Sequence, residues 1–323
     1  MAAIIAAPLL AAPASAQDFP TRTITMVVPF PAGGPSDTVA RFMADGMGRH
    51  LGRTIIIENV GGAGGIIGAT RAAEAPPDGY TLLGASMGTI VAAPSFYPNL
   101  KYDPTKDFEP IGMTADAPAA IAAKADFPAN NLQEFVAYVR QHGADVKQAH
   151  GGIGSSSHMA CLLFNKVFDL KPTAVAYRGT GPALNDLMGG YVDYFCEQAV
   201  VVAPGVRAGK IKGLVVSAND RLAALPDVPG AQEAGAPDFQ LNIWSAIYAP
   251  KGTPKDIVAK LAEALDQTLD EPEIAKKLGN LGATVPPKSQ RGPDYLRKTL
   301  AADIPRWAPI LKQAAATTGA DGR

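Results

Sequence analysis

Ser86 lies in the sequence Gly84-Ala-Ser-Met-Gly88, which matches the G-x-S-x-G pattern of serine hydrolases. It follows an apolar run, where a strand would lead into the sharp turn that exposes such a serine. A hydrolase of this type also needs an acid and then a histidine further along the chain. Histidines after Ser86 occur only at positions 142, 150 and 158, and no His-Gly-Gly-Gly oxyanion element precedes the serine. We therefore expect Ser86 to contact a ligand or to stabilise a turn, with hydrolysis as an alternative.

The first apolar run, residues 24–28, leads into a loop rich in proline and glycine. Two prolines break the run, Gly33 and Gly34 follow, and Ser36 or Asp37 then offers a helix N-cap. This order places free backbone N–H groups and the positive end of a helix dipole above the strand. Such a place attracts a carboxylate or a phosphate.

Two later loops have the same character. The segment from His150 to His158 is rich in glycine and serine and opens an apolar helix. The segment Tyr177-Arg-Gly-Thr-Gly181 follows another short strand, and Arg178 offers a bidentate fork to a carboxylate. Each loop alone is also compatible with a purely structural turn. All three together favour one anion site formed by helix N-termini.

The remaining motifs are less informative. The glycines of residues 59–68 have the spacing G-x-G-x-x-x-G and follow the second strand, so they are a weak match to a dinucleotide-binding loop. Glu197 lies at the end of an apolar strand. Its carboxylate could accept a hydrogen bond from a ligand hydroxyl or amine, or it could cap the neighbouring helix. Cys161 and Cys196 have only His158 near them at ligand spacing, so we expect no metal site. A disulfide and two buried free thiols both remain open for this pair.

Apolar, strand-like runs alternate with helix-like segments along most of the chain, which indicates parallel sheets flanked by helices. A chain of 323 residues favours two domains. Small residues near 115–118 and a second crossing near 241–250 predict two α/β lobes with a cleft between them. We place residues 17–117 and 242–323 in lobe 1 and residues 118–241 in lobe 2.

Residues 1–16 are apolar and end in Ala14-Ser-Ala16, a pattern typical of a signal peptide cleaved before Gln17. The basic start of such a peptide is missing, and a buried N-terminal helix is the alternative. We expect export to the periplasm or the cell surface. The net charge of −1 gives no reason to expect binding to nucleic acid or to an anionic membrane.

Several segments together resemble the Bug family, the extracytoplasmic solute receptors of tripartite tricarboxylate transporters. The matching segments run in family order over nearly all of the chain after the leader. They are Val28-Pro-Phe-Pro-Ala-Gly-Gly-Pro-Ser-Asp37, Glu58-Asn-Val-Gly-Gly-Ala-Gly-Gly65, Pro77-Asp-Gly-Tyr80, Tyr102-Asp-Pro-Thr-Lys-Asp-Phe108, Gly154-Ser-Ser-Ser-His158, Tyr177-Arg-Gly-Thr-Gly-Pro-Ala183, Leu225-Pro-Asp-Val-Pro229 and Ala249-Pro-Lys-Gly-Thr-Pro254. The resemblance implies a type II periplasmic binding protein fold whose two lobes close over a ligand.

The resemblance also implies which residues contact the ligand. Carried over position by position, the expected set is Phe30, Ala32, Gly33, Gly34, Ser86, Gly88, Ser155, Ser157, His158, Arg178, Gly179 and Thr180. After the strand that ends near residue 195 the family commonly has Asp, whereas this chain has Glu197 followed by Gln198. The longer side chain leaves the contacts at the far end of the ligand open.

These residues favour binding over catalysis, with no catalytic residue and no cofactor. The expected ligand is a small carboxylate, which includes di- and tricarboxylates, aromatic acids and acidic amino acids. The expected partners are the membrane permease subunits of a tripartite transporter, with the receptor acting as a monomer. A receptor for a membrane histidine kinase and a serine hydrolase using Ser86 are the alternatives.

Overall fold

The computed structural model describes residues 19–318, with side chains up to residue 314. The leader and its cleavage site therefore lie outside the described residues. The strands are β1 (Ile24–Val28), β2 (Ile55–Asn59), β3 (Thr81–Ser86), β4 (Phe108–Lys124), β5 (Lys147–His150), β6 (Thr173–Ala176), β7 (Tyr194–Gln198), β8 (Ile211–Val216) and β9 (Asn242–Pro250). The helices are α1 (Pro35–Leu51), α2 (Ile66–Ala73), α3 (Ala93–Phe96), α4 (Leu132–His142), α5 (Ser156–Phe168), α6 (Thr180–Met188), α7 (Ala199–Arg207), α8 (Lys255–Leu269), α9 (Pro272–Gly279) and α10 (Gly292–Thr318). Among these helices, none is long and apolar enough to cross a membrane.

The strand β4 links two groups of strands. Its first part, residues 108–118, pairs with β9, and the order continues through β3 and β1 to β2. Its second part, residues 119–124, pairs with β7 and β8, and the order continues through β5 to β6. The chain therefore passes between the two groups along β4 and β9, which lie side by side.

The expectation of parallel sheets is only partly correct. Pairing is parallel between β1 and its neighbours β2 and β3, and between β5 and its neighbours β6 and β7. It is antiparallel wherever β4 or β9 takes part. Pro110 and Pro118 make the sequence of β4 look like separate runs. In the structure β4 is continuous, and register shifts near Pro110 and Met113 interrupt its regular pairing.

Two helices, α1 and α7, differ from expectation. The N-cap of α1 is Gly34, in an extended conformation, and neither Ser36 nor Asp37. Pro35 occupies the first turn, where a missing N–H costs no hydrogen bond. The helix α7 was not expected, because its run of valines favours a strand.

A disulfide joins Cys161 of α5 to Cys196 of β7, with a Cα–Cα distance of 5.3 Å. The two residues are separated by 35 positions in the sequence. Both are fully buried, in the half of the molecule that contains β5 to β8. The disulfide thus ties the helix that begins at Ser156 to the strand that ends at Gln198.

Reducing this disulfide should lower the free energy of unfolding by about 4 kcal/mol, because a closed loop of this length restricts the unfolded chain. Urea unfolding with and without reductant measures the change. The double variant Cys161→Ala/Cys196→Ala should unfold like the reduced protein and should not respond to reductant. An unchanged unfolding midpoint after complete reduction would contradict this prediction.

Candidate functional site

The ends of several strands and the starts of several helices meet at an inner cavity. It is lined by Phe30, Pro35, Ser36, Ser86, Gly151, Ser155, Ser156, Ser157, Thr180, Glu197 and Gln198. Its free space is about 20 Å³, which suits a single water molecule. The loops around it therefore lie against one another, and a larger ligand can enter only when they separate.

Four helices begin at the inner cavity. Pro35 and Ser36 open α1, Ser156 and Ser157 open α5, Thr180 opens α6, and Gln198 is the N-cap of α7. The first N–H groups of a helix have no acceptor within the helix, and the helix dipole adds positive potential there. Four such ends around one small space make it a site for an anion.

The loop before α1 is held by Asp37. Its carboxylate accepts from the Gly33 N–H, Arg41 Nε and Asn59 Nδ2, each at 2.9 Å. Asn59 Nδ2 also donates to the Phe30 carbonyl at 3.0 Å. Burial alone raises the pKa of Asp37, but these hydrogen bonds outweigh it and leave the pKa below its usual value. Asp37, which the sequence suggested only as a cap, therefore fixes the loop that carries Phe30.

Asp37→Asn should lower the free energy of unfolding by about 2 kcal/mol, since it weakens charge-assisted hydrogen bonds inside the protein. Ligand affinity should fall roughly tenfold as the loop loses its anchor. Urea unfolding and calorimetric titration measure the two effects. Asp78→Asn is the matched control, because Asp78 pairs with Arg22 at an exposed position and should change neither quantity appreciably. Equal effects of the two variants would contradict the role given to Asp37.

The loop before α5 is held by its own serines and by two histidines. Ser155 Oγ accepts from the His158 N–H at 3.1 Å and donates to the Gly152 carbonyl at 2.7 Å. Ser157 Oγ accepts from the Gly151 N–H and donates to the carbonyl of Cys196. These bonds connect the loop to the end of β7.

His150 and His158 stack with ring centroids 4.4 Å apart. Their Nδ1 atoms accept from the N–H groups of Gly152 and Gly154, both at 3.2 Å. Burial lowers the pKa of His150 to about 4, and burial also lowers the pKa of His158 well below its usual value. Both rings are therefore neutral and support the loop, and His158 does not line the inner cavity.

Glu197 closes the inner cavity from the side of β7. Thr180 Oγ1 donates to its Oε2 at 2.7 Å and the Gln198 N–H donates to its Oε1 at 2.8 Å. Burial raises the pKa of Glu197 to about 7, although these two hydrogen bonds oppose the shift. Within the described residues no basic side chain forms an ion pair with it, so the carboxyl is poised to hold its proton near neutral pH.

Ser86 and Gly88 contact the opposite side of the cavity through Ser156. The Ser86 and Ser156 hydroxyl oxygens lie 2.9 Å apart, and the Gly88 N–H donates to Ser156 Oγ at 3.0 Å. A Cβ atom on Gly88 would lie only 2.2 Å from the Ser156 nitrogen. The hydroxyl of Ser86 therefore meets another serine, and no described histidine is placed to act as its base.

An outer cavity of about 200 Å³ shares Phe30 and Gly151 with the inner one. It also contains Arg178, Gly179 and the glycine-rich segment 62–65. A larger and more open groove of about 800 Å³ runs along α1 and β2 and shares no residue with either cavity. We assign the site to the inner cavity, where four helix N-termini meet buried polar groups, and to the outer cavity, which adjoins it at Phe30 and Gly151.

The expected ligand residues fall into distinct positions. The inner cavity contains Phe30, Ser86, Ser155, Ser157, Thr180 and Glu197, whereas Arg178 and Gly179 line only the outer cavity. Gly34 is buried near Thr180, Gly88 contacts Ser156, and Ala32 and Gly33 are exposed. The expected set omitted Pro35, Ser36, Gly151, Ser156 and Gln198, which also line the inner cavity. The Ser-Ser-Ser run already indicated Ser156, and the strand end at Glu197 indicated Gln198.

The model of the tripartite tricarboxylate transporter family receptor matches residues 39–315. The chain belongs to this family. It is therefore a solute receptor and a binding protein, and the hydrolase alternative for Ser86 is set aside.

Solved structures of similar proteins agree in fold. MatC from Rhodopseudomonas palustris with bound malate is 45% identical, with a TM-score of 0.87, and the match covers 91% of this chain and 100% of MatC. The periplasmic binding protein BugD is 40% identical, with a TM-score of 0.87 and coverage of 92% and 98%. R. palustris Rpa4515 with adipate is 31% identical, again with a TM-score of 0.87 and coverage of 92% and 98%. The receptor thus has the periplasmic binding protein fold.

Proposed function

We propose that this receptor captures a small carboxylate in the periplasm and delivers it to the membrane permease subunits of a tripartite tricarboxylate transporter. The observation that carries the proposal is the meeting of four helix N-termini at one buried cavity. Malate in the structure of MatC and adipate in that of Rpa4515 support the same ligand class.

The proposed division into lobes places residues 17–117 and 242–323 in lobe 1 and residues 118–241 in lobe 2. Strand pairing supports it, because β4 changes partners between residues 118 and 119 and β9 begins at Asn242. Under this division Ser86 and Gly88 belong to lobe 1 and Ser156 to lobe 2. Their contact then closes the cleft over the ligand, and closure is the signal that the permease recognises.

We also propose that the leader directs export of the receptor, that it is cleaved before Gln17, and that the mature receptor acts as a monomer.

Calorimetric titration of the purified protein, freed of co-purified ligand, tests the proposal. The panel is malate, succinate, adipate, citrate, benzoate and glutamate, with malamide as a neutral control. We expect saturable binding of at least one acid and none of malamide. Binding of malamide as tight as malate, or no binding of any acid together with an unchanged melting temperature, would contradict carboxylate capture.

A further inference from the structure

A further cavity, of about 430 Å³, lies where the chain crosses between the two groups of strands. Pro118 of β4 and Asn242 of β9 pair with each other at this crossing, and both line the cavity. Arg306 and Trp307 of α10 form another part of its wall. We call this space the crossing cavity. It shares no lining residue with the inner or the outer cavity, and its volume is within the range of small-molecule sites.

Two hydrogen-bond donors in the wall of the crossing cavity lack an acceptor. Trp307 Nε1 and Gln240 Nε2 are buried atoms, and neither forms a hydrogen bond within the residues that the structure describes. The Trp307 side chain as a whole is 3% exposed. A buried donor without an acceptor costs free energy, and native proteins keep few of them. An occupant that brings acceptors into the crossing cavity would remove this cost.

Arg306 adds a positive charge to the same wall. Its guanidinium carbon lies 5.7 Å from the centre of the Trp307 ring, and it forms no ion pair with another described residue. Asp303 is the only acid among the lining residues, and its Oδ2 already accepts from Trp244 Nε1 at 2.7 Å. A guanidinium and two N–H groups are therefore available to an acceptor, which is a combination that fits an oxyanion.

Much of the remaining wall is apolar. Met87, Leu222 and Leu241 line the crossing cavity together with the indole ring of Trp307. A wholly polar anion would leave this surface uncovered, whereas a hydrocarbon ring would bury it. The wall thus combines a charged, donor-rich part with an apolar part.

We propose that the crossing cavity is a second ligand site, which binds a small organic oxyanion with a ring-sized apolar body. Arg306, Trp307 and Gln240 donate to its carboxylate or sulfonate group, and the apolar side chains cover its ring. The occupant would contact both proposed lobes, because Pro118 and Asn242 lie where the chain crosses between them. This inference does not depend on which acid binds at the inner cavity.

The two tryptophans of the chain allow a specific test. Trp307 lines the crossing cavity, and Trp244 donates to Asp303 in its wall, so tryptophan fluorescence reports on this space. Titration of the purified receptor with benzenesulfonate should change the emission in a saturable way. Benzenesulfonamide has the same ring but no charge, and it should bind at least tenfold more weakly.

A pair of variants of α10 locates the binding. Arg306→Gln should weaken benzenesulfonate at least tenfold, because it removes the charge that faces the oxyanion. Arg297→Gln is the matched control and should change the affinity less than twofold. Arg297 is also an exposed arginine of α10, but it pairs with Asp294 and lies outside the crossing cavity.

Three results would overturn the proposal. The first is an emission that does not saturate with benzenesulfonate. The second is equal affinity for the two probes, and the third is an equal loss in the two variants. A crystal structure with benzenesulfonate gives a direct check: we expect its sulfonate at Arg306 and Trp307, and density only at the inner or outer cavity would also overturn the site.

Discussion

Gly88→Ala should prevent closure of the cleft and lower ligand affinity at least a hundredfold, which corresponds to about 2.8 kcal/mol. The added Cβ would lie 2.2 Å from the Ser156 nitrogen and 2.6 Å from the Ser155 carbonyl carbon. These are backbone atoms at the start of α5, so they cannot turn away as a flexible side chain would. The two sides of the inner cavity must then stay apart.

The fold itself should tolerate this substitution. Gly88 begins a short helical turn, Gly88–Ala92, and its φ is not in the left-handed region that favours glycine. We therefore expect the variant to unfold cooperatively without ligand, because the strand pairing within each half is unchanged.

Gly34→Ala is the matched control for this prediction. A Cβ on Gly34 would lie 3.6 Å from the Pro31 carbonyl oxygen and 3.8 Å from the Thr180 Cβ, both ordinary contacts. Calorimetric titration should show that Gly34→Ala binds within about threefold of the unaltered receptor, which is under 1 kcal/mol. Gly88→Ala with unchanged affinity would show that the observed closed contact is not the ligand-bound state.

Glu197→Gln should stabilise the receptor by about 3 kcal/mol above neutral pH and have little effect below pH 4.5. The pKa of Glu197 rises from 4.5 to about 7 on folding because the carboxyl is buried. At pH values between 4.5 and about 7, Glu197 has lost its proton in the unfolded chain but keeps it in the folded chain. Stability therefore falls as pH rises through this interval, and the penalty is complete above the folded pKa.

Glutamine avoids this penalty because it is neutral at every pH. Its carbonyl can accept from the Gln198 N–H, and the Thr180 hydroxyl can rotate to accept from the new amide. Urea unfolding at several pH values measures the difference between variant and parent. Glu74→Gln is the control. Because Glu74 is exposed, its substitution should not produce an increase in the free energy of unfolding that grows with pH. If the difference in free energy of unfolding between the parent and Glu197→Gln is the same at every pH, the prediction is contradicted.

Ligand binding should respond to pH through the same group. A bound dicarboxylate raises the pKa of Glu197 further, so binding above neutral pH takes up a proton and affinity falls there by at most about tenfold per pH unit. Glu197→Gln should remove this dependence. Loss of all binding in Glu197→Gln would indicate instead that the ionised carboxylate accepts from a ligand amine or hydroxyl.

Local patterns predicted the elements that carry the site. The apolar run before Pro29 is β1, and the Ser-Ser-Ser run starts α5, as the sequence indicated. These features depend on a few neighbouring residues, which a single sequence contains. The resemblance to a receptor family added the overall fold, which the family model and the solved structures confirm.

What the sequence missed depends on partners distant along the chain. Asp37 accepts a hydrogen bond from Asn59, 22 positions away, and Ser86 meets Ser156 across 70 positions. His158 was expected at the ligand; it stacks on His150 and does not line the inner cavity. The antiparallel direction of β4 and β9 was also missed, because it depends on which strands become neighbours and these are distant along the chain.

A crystal structure of the receptor with adipate tests the central claim most directly. The account predicts a carboxylate of adipate within hydrogen-bond distance of the first N–H groups of α1 and α5, between Ser36 and Ser156. The loops of both proposed lobes should contact the ligand. Density for adipate only in the groove along α1 and β2, or at another surface away from these helix starts, would contradict it.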